Sequence, residues 1–173
     1  LGFGIGGVAS LVGSSIVYVF LREWFALNKG AVALFLSLVG GLSVGSKLIS
    51  GYALDRIGVG IILKSLAALL LIGTLLTGVR SLPLFLIGLA IISMVVGAFI
   101  PVSRAIAYAF PDPALAVGRL NSLGNIGTVT GLLAIGAGMD LLPSFGLEWI
   151  SPLIAFLGPF TLMALASTLR LSL

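Results

Sequence analysis

Long apolar runs dominate this chain, interrupted by short clusters of glycine, proline and charge. No ten-residue segment alternates in the way the strands of a membrane β-barrel do, and the runs are too long and continuous for one. Stretches of about 20 apolar residues, enough to cross a bilayer as a helix, lie near residues 3–21, 31–53, 61–79, 84–108, 116–141 and 150–170. The pattern predicts an all-α membrane protein with six transmembrane helices in one bundle over residues 1–173. Its connections are short, so neighbouring helices run antiparallel, and no segment is left for a soluble domain.

Composition explains why the apolar surface must meet lipid. The chain is 60% hydrophobic and 8% charged, with a mean hydropathy of +1.30, whereas soluble domains carry about 25% charged residues. The first twenty residues lack the basic start of a signal peptide, so the chain is expected to be an excised or processed segment. It has no Cys and no His, which removes disulfides, thiolate sites and the usual nitrogen ligands of zinc. It also removes the commonest general base. No metal, no cofactor and no enzymatic activity are expected.

A pI near 10 rests on nine basic and five acidic residues, and in a membrane protein it reads as topology rather than a nucleic-acid footprint. Arg56, Lys64, Arg104, Arg119 and Arg170 fall on one side with Asp55 and Asp112. Arg22, Lys29 and Arg80 fall on the other with Glu23, Asp140 and Glu148. The positive-inside rule then puts both termini in the cytoplasm of a multi-pass protein of the inner or plasma membrane. Arg22, Glu23 and Trp24 form an interfacial anchor.

One internal echo stands out. The second span ends Gly51-x-x-x-Asp55 with Gly58 after it, and the fifth ends Gly136-x-x-x-Asp140 with Gly146 after it. Three spans separate the two copies, which puts them on opposite membrane faces, as in the inverted repeats of secondary transporters. A 3+3 inverted repeat is expected. Small-residue stripes at Ser37, Gly41 and Gly45, and at Gly124, Gly127 and Gly131, suit close helix packing. The more uniformly apolar segments 61–77 and 153–166 are expected to face lipid.

The stretch GYALDRIG, residues 51–58, resembles the loop motif of the major facilitator superfamily, which joins the second and third helices of a six-helix half. Gly97-Ala-Phe-Ile-Pro101, then Ala109-Phe-Pro-Asp-Pro113 and Gly118-Arg-Leu-Asn121, look like that family's fourth helix and its link to the fifth. Gly124 to Gly131 looks like its glycine-rich fifth. Three departures point to the carboxy-terminal half of such a transporter: Val59 and Gly60 replace the usual basic residues, Ser93 stands where the first half often has Arg, and Thr128 follows Gly127 where antiporters often have Pro.

The resemblance implies transport of a small solute by alternating access, with a second six-helix half as partner. The alternative is a membrane scaffold, receptor or assembly module that kept the fold. The resemblance also implies a cytoplasmic conformational gate of Gly51, Asp55, Arg56 and Gly58, with Arg104 and Arg119 as partners for the carboxylate. Substrate-pathway candidates are the stripe Ser10, Ser14 and Tyr18 on the first span, Ser93 on the fourth, and Asn121, Asn125 and Thr128 on the fifth. For the first stripe, interhelical hydrogen bonds and a cavity lining fit equally. Lys47 either snorkels to the interface or contacts an anionic solute. The solute is expected to be polar or anionic, and the other partner is the lipid bilayer.

Overall fold

The computed structural model describes residues 1–12, 15–79, 81–144 and 152–171, with the side chains of 15, 140–144, 152–156 and 171 left aside. Seven helices follow one another: α1 (Gly2–Val12), α2 (Ser15–Phe25), α3 (Lys29–Ile57), α4 (Val59–Thr77), α5 (Leu82–Ala107), α6 (Pro113–Ser144) and α7 (Pro152–Leu171). The described residues contain no strand. Four helices, α3 to α6, are long and apolar enough to cross a membrane. The first expected span is two helices instead of one, with Gly2–Val12 and Ile16–Phe25 inclined by 54°, and taken as one broken span the pair makes a fifth.

Local chemistry sets the helix limits. Asn28 caps α3, its side-chain oxygen accepting from the Ala31 N–H at 2.8 Å, which satisfies one of the first-turn donors. Asp112 does the same for α6, accepting from the Leu115 N–H at 3.0 Å. Pro113 follows at the first helical position, where its missing N–H costs nothing. The motif at 51–58 is mostly not a loop: α3 runs through Asp55 and Arg56 to Ile57, and only Gly58 separates it from α4. Gly58 has φ 86° and ψ 156°, a region open essentially to glycine alone. Its N–H donates to the Leu54 carbonyl, and its own carbonyl accepts from Ile62.

Two seams of close approach organise the bundle. In one, α1 lies parallel to α6: a Cβ on Gly6 would strike the Gly124 carbonyl, one on Gly127 the Phe3 carbonyl, and one on Gly131 the Ser10 hydroxyl and the Gly7 backbone. In the other, α3 lies parallel to α5. Ser93 donates to the Val39 carbonyl at 2.9 Å, and a Cβ on Gly97 would strike Ser43 and Ser46. Antiparallel contacts complete the frame. Gly73 on α4 packs against Gly88 and Ile92 on α5, and Gly4 and Gly7 on α1 pack against Phe160 and Ala164 on α7. Thr74 and Thr161 share a buried hydrogen bond of 2.9 Å between α4 and α7. Phe20, Trp24, Phe25 and Phe85 form an aromatic cluster, with Phe20 and Phe85 stacked at 5.5 Å.

The two expected stripes behave differently. Gly124, Gly127 and Gly131 lie along the α1–α6 seam. Gly41 and Gly45 meet nothing within 4 Å, and Ser37 is exposed. On α3 the packed face runs through Val39, Ser43 and Ser46 instead, leaving Leu48 and Ile49 at 74% and 68% exposure. The helices expected to face lipid are exposed on one side only. α4 exposes Ile61, Leu69, Ile72 and Leu75 while burying Ile62, Leu63, Leu70 and Thr74.

Candidate functional site

A cleft of about 290 Å³ opens between α1, α5 and α6. Gly2, Ile5, Gly6 and Ala9 form one wall. Val96, Phe99, Ile100, Ser103 and Arg104 form the second, and Val117, Leu120, Asn121, Gly124, Asn125 and Thr128 the third. Glycine on α1 lets α6 approach closely, and the same helical register aligns Asn121, Asn125 and Thr128 along one face of α6. On α5, Val96, Ile100 and Ser103 recur at helical spacing and end at Arg104 in the last turn, where the carbonyl end of the helix favours a cation.

Hydrogen bonding fixes what each polar group can offer. The Thr128 hydroxyl donates to the Gly6 and Gly124 carbonyls, at 3.0 Å each. The Ser103 hydroxyl donates to Ile100 at 2.8 Å. Each hydroxyl has one proton, so both face the cleft as acceptors. Asn121 and Asn125 are exposed, and their amides supply N–H donors as well as carbonyl acceptors. Arg104 and Val117 also line an adjoining recess with Tyr108, Asp112, Pro113 and Ala114. Among the described residues no group of three or more His, Cys, Asp or Glu side chains could hold a metal ion.

Of the pathway candidates, Asn121, Asn125 and Thr128 meet in this cleft. Ser10 is turned into the α1–α6 seam and donates to the Gly7 carbonyl at 2.6 Å. Ser93 is engaged in the α3–α5 seam. Tyr18 lies under Arg22, whose guanidinium is 6.0 Å from the ring centre, and lines a separate surface recess with Val19, Arg22 and Glu23. Lys47 is half-buried on α3, which contributes nothing to the cleft. Ser14 lies outside the described residues.

The gate candidates lie mostly at the surface. Gly51 is half-buried; Asp55, Arg56, Arg104 and Arg119 are exposed. Arg56 packs over the Tyr52 ring at 4.8 Å. Arg119 borders an apolar groove with Phe110, Leu120 and Leu123. Arg104, expected only as a gate partner, lines the cleft beside the α6 amides, together with Ser103, Phe99 and Val96. The signal for these was in the register: Val96, Ile100 and Ser103–Arg104 continue one face of α5, one turn apart.

No family model, no curated protein and no solved structure matches this chain.

Proposed function

We propose that this chain is the six-helix half of a transporter that moves a small solute by alternating access, with α1 and α2 as one broken span and α7 as the sixth. The observation that carries this reading is the repetition of one seam. Ser10 on the first span faces Gly131 on the fifth, and Ser46 on the second faces Gly97 on the fourth. Exchanging first for fourth and second for fifth converts one helix pair into the other, with the serine and the glycine trading places. The other contacts follow the same exchange, since the third span packs on the fourth as the sixth packs on the first. With two spans between them, equivalent elements point in opposite directions across the bilayer, which is how inverted repeats generate two alternating states around a midplane site. The likeness of residues 51–58, 97–101 and 118–131 to the major facilitator superfamily supports the same reading.

The cleft between α1, α5 and α6 is the natural solute site, being polar where most of the bundle is not. A second six-helix half would close its open side, and the unpartnered Gly41–Gly45 face of α3 offers close approach for it. Flux through proteoliposomes containing the full chain tests the proposal: saturable uptake of any small solute supports it. A reconstituted, folded protein that passes none of a broad panel would leave the membrane-scaffold reading.

A further inference from the structure

We propose that this cleft selects solutes carrying a single negative charge, and that Arg104 is the recognising cation; the proposal rests on the transport reading of the same site and adds its substrate class. Among the described residues, Arg104 is the one charged residue in the lining, which includes no carboxylate. A guanidinium stays protonated at any physiological pH, so the wall carries a fixed positive charge. Asp112 shares the adjoining recess with Arg104, where one of its oxygens caps α6, and it does not line the cleft.

The remaining groups extend the site along α6. Val117 borders Arg104 in both recesses, and Asn121 and Asn125 follow it at one and two helical turns. The amide of Asn121 can therefore add an N–H donor beside the guanidinium fork, the combination that suits a carboxylate or sulfonate. Beyond it, Asn125 and the spent hydroxyl of Thr128 present acceptors, suited to a hydroxyl or amine on the same solute. The volume, roughly twice that of a cavity of about 150 Å³ that holds benzene, suits a small organic monoanion. A dianion would leave its second charge among Val96, Phe99 and Ile100, with no cation to meet it.

The chain has no cysteine, so a single introduced thiol reports charge selectivity directly. In the reconstituted Ser103→Cys protein, a sulfonate-bearing methanethiosulfonate reagent should modify the thiol about tenfold faster than its trimethylammonium analogue, as expected for focusing by one fixed charge in a cleft. Acetate and lactate should slow that modification, while glycerol should not. Adding Arg104→Gln should abolish both effects, and Arg104→Lys should retain part of each. Ser37→Cys, on the far face of α3, should show no preference, which controls for reagent reactivity. Equal rates at position 103, or a preference that survives Arg104→Gln, would overturn the proposal. Anion protection without flux of any anion would keep the anion site and remove the transport reading; flux of glycerol without anion protection would do the reverse.

Discussion

Ser46 on α3 and Gly97 on α5 are packed so closely that a single added methyl at position 97 would strike the serine hydroxyl and the neighbouring Ser43 backbone. The α1–α6 seam repeats the arrangement with Ser10 and Gly131. Lipid supplies no hydrophobic drive for helix association, so such close approach and the dispersion it allows hold the bundle together. Gly97→Ala and Gly131→Ala should each destabilise it by about 1–3 kcal/mol, the usual cost of overpacking. Gly41→Ala, in open space, should leave the bundle unchanged. Unfolding in detergent, followed by circular dichroism, distinguishes the three; equal stability would show that the seams are not close-packed.

Thr74 and Thr161 give a second, smaller measure of helix association. The Thr74 hydroxyl also reaches the Leu70 carbonyl on its own helix at 2.8 Å. A double-mutant cycle with Thr74→Val and Thr161→Val should yield a coupling of about 0.6 kcal/mol, and at most about 1.7, as for other interhelical hydrogen bonds in membranes. Zero coupling would mean that the two helices are held by shape alone.

Gly58 carries a backbone conformation that a side chain resists. Gly58→Ala should cost about 1–3 kcal/mol through that strain. Gly60→Ala should cost little, because position 60 sits in α4 with nothing within 4 Å of its would-be Cβ. The same unfolding measurement compares them, and a neutral Gly58→Ala would place the turn in another conformation.

Asp55, three residues before that turn, tests the gate. Asp55→Ala should slow solute flux more than it weakens solute binding, because the carboxylate would bias the balance of states without touching solute. Turnover equal to the parent protein would remove Asp55 from the mechanism.

Orientation is checked with the same cysteine-free background. Thiols introduced at Ile57 and Asp112 should be labelled from the cytoplasmic side by a membrane-impermeant maleimide, and one at Asn28 from the outside, following the basic-residue asymmetry. The reverse labelling would invert the assignment of both ends.

Helix limits were legible in the sequence because breakers and caps mark them: Asn28, Gly58 and the Pro111-Asp112-Pro113 cluster each fall at an end. Which face packs was much less legible. Ser37-Gly41-Gly45 and Val39-Ser43-Ser46 both put small residues on α3, two positions out of register, and only the second pairs with α5. In a soluble helix a polar face would have decided between them; in a bilayer both faces are apolar, and the partner decides. Similarly, Ser10 and Ser93 look like cavity residues by composition, yet both hydroxyls are spent within seams. Arg104 was visible as a charge at a helix end, and its place beside Asn121 depended on how α5 lies against α6.

The one-residue link at Gly58 also has a mechanical meaning. A trans peptide chain has two soft dihedrals per residue, so α3 and α4 are joined by a corner with almost no slack. Both helices are fastened independently to α5, one through Ser93 and Gly97 and the other through Gly73 and Gly88. A corner with two fastened arms is a braced triangle, which can turn as a whole but cannot change its angles. Force applied anywhere along α3 is therefore delivered to α5, the helix that carries Arg104.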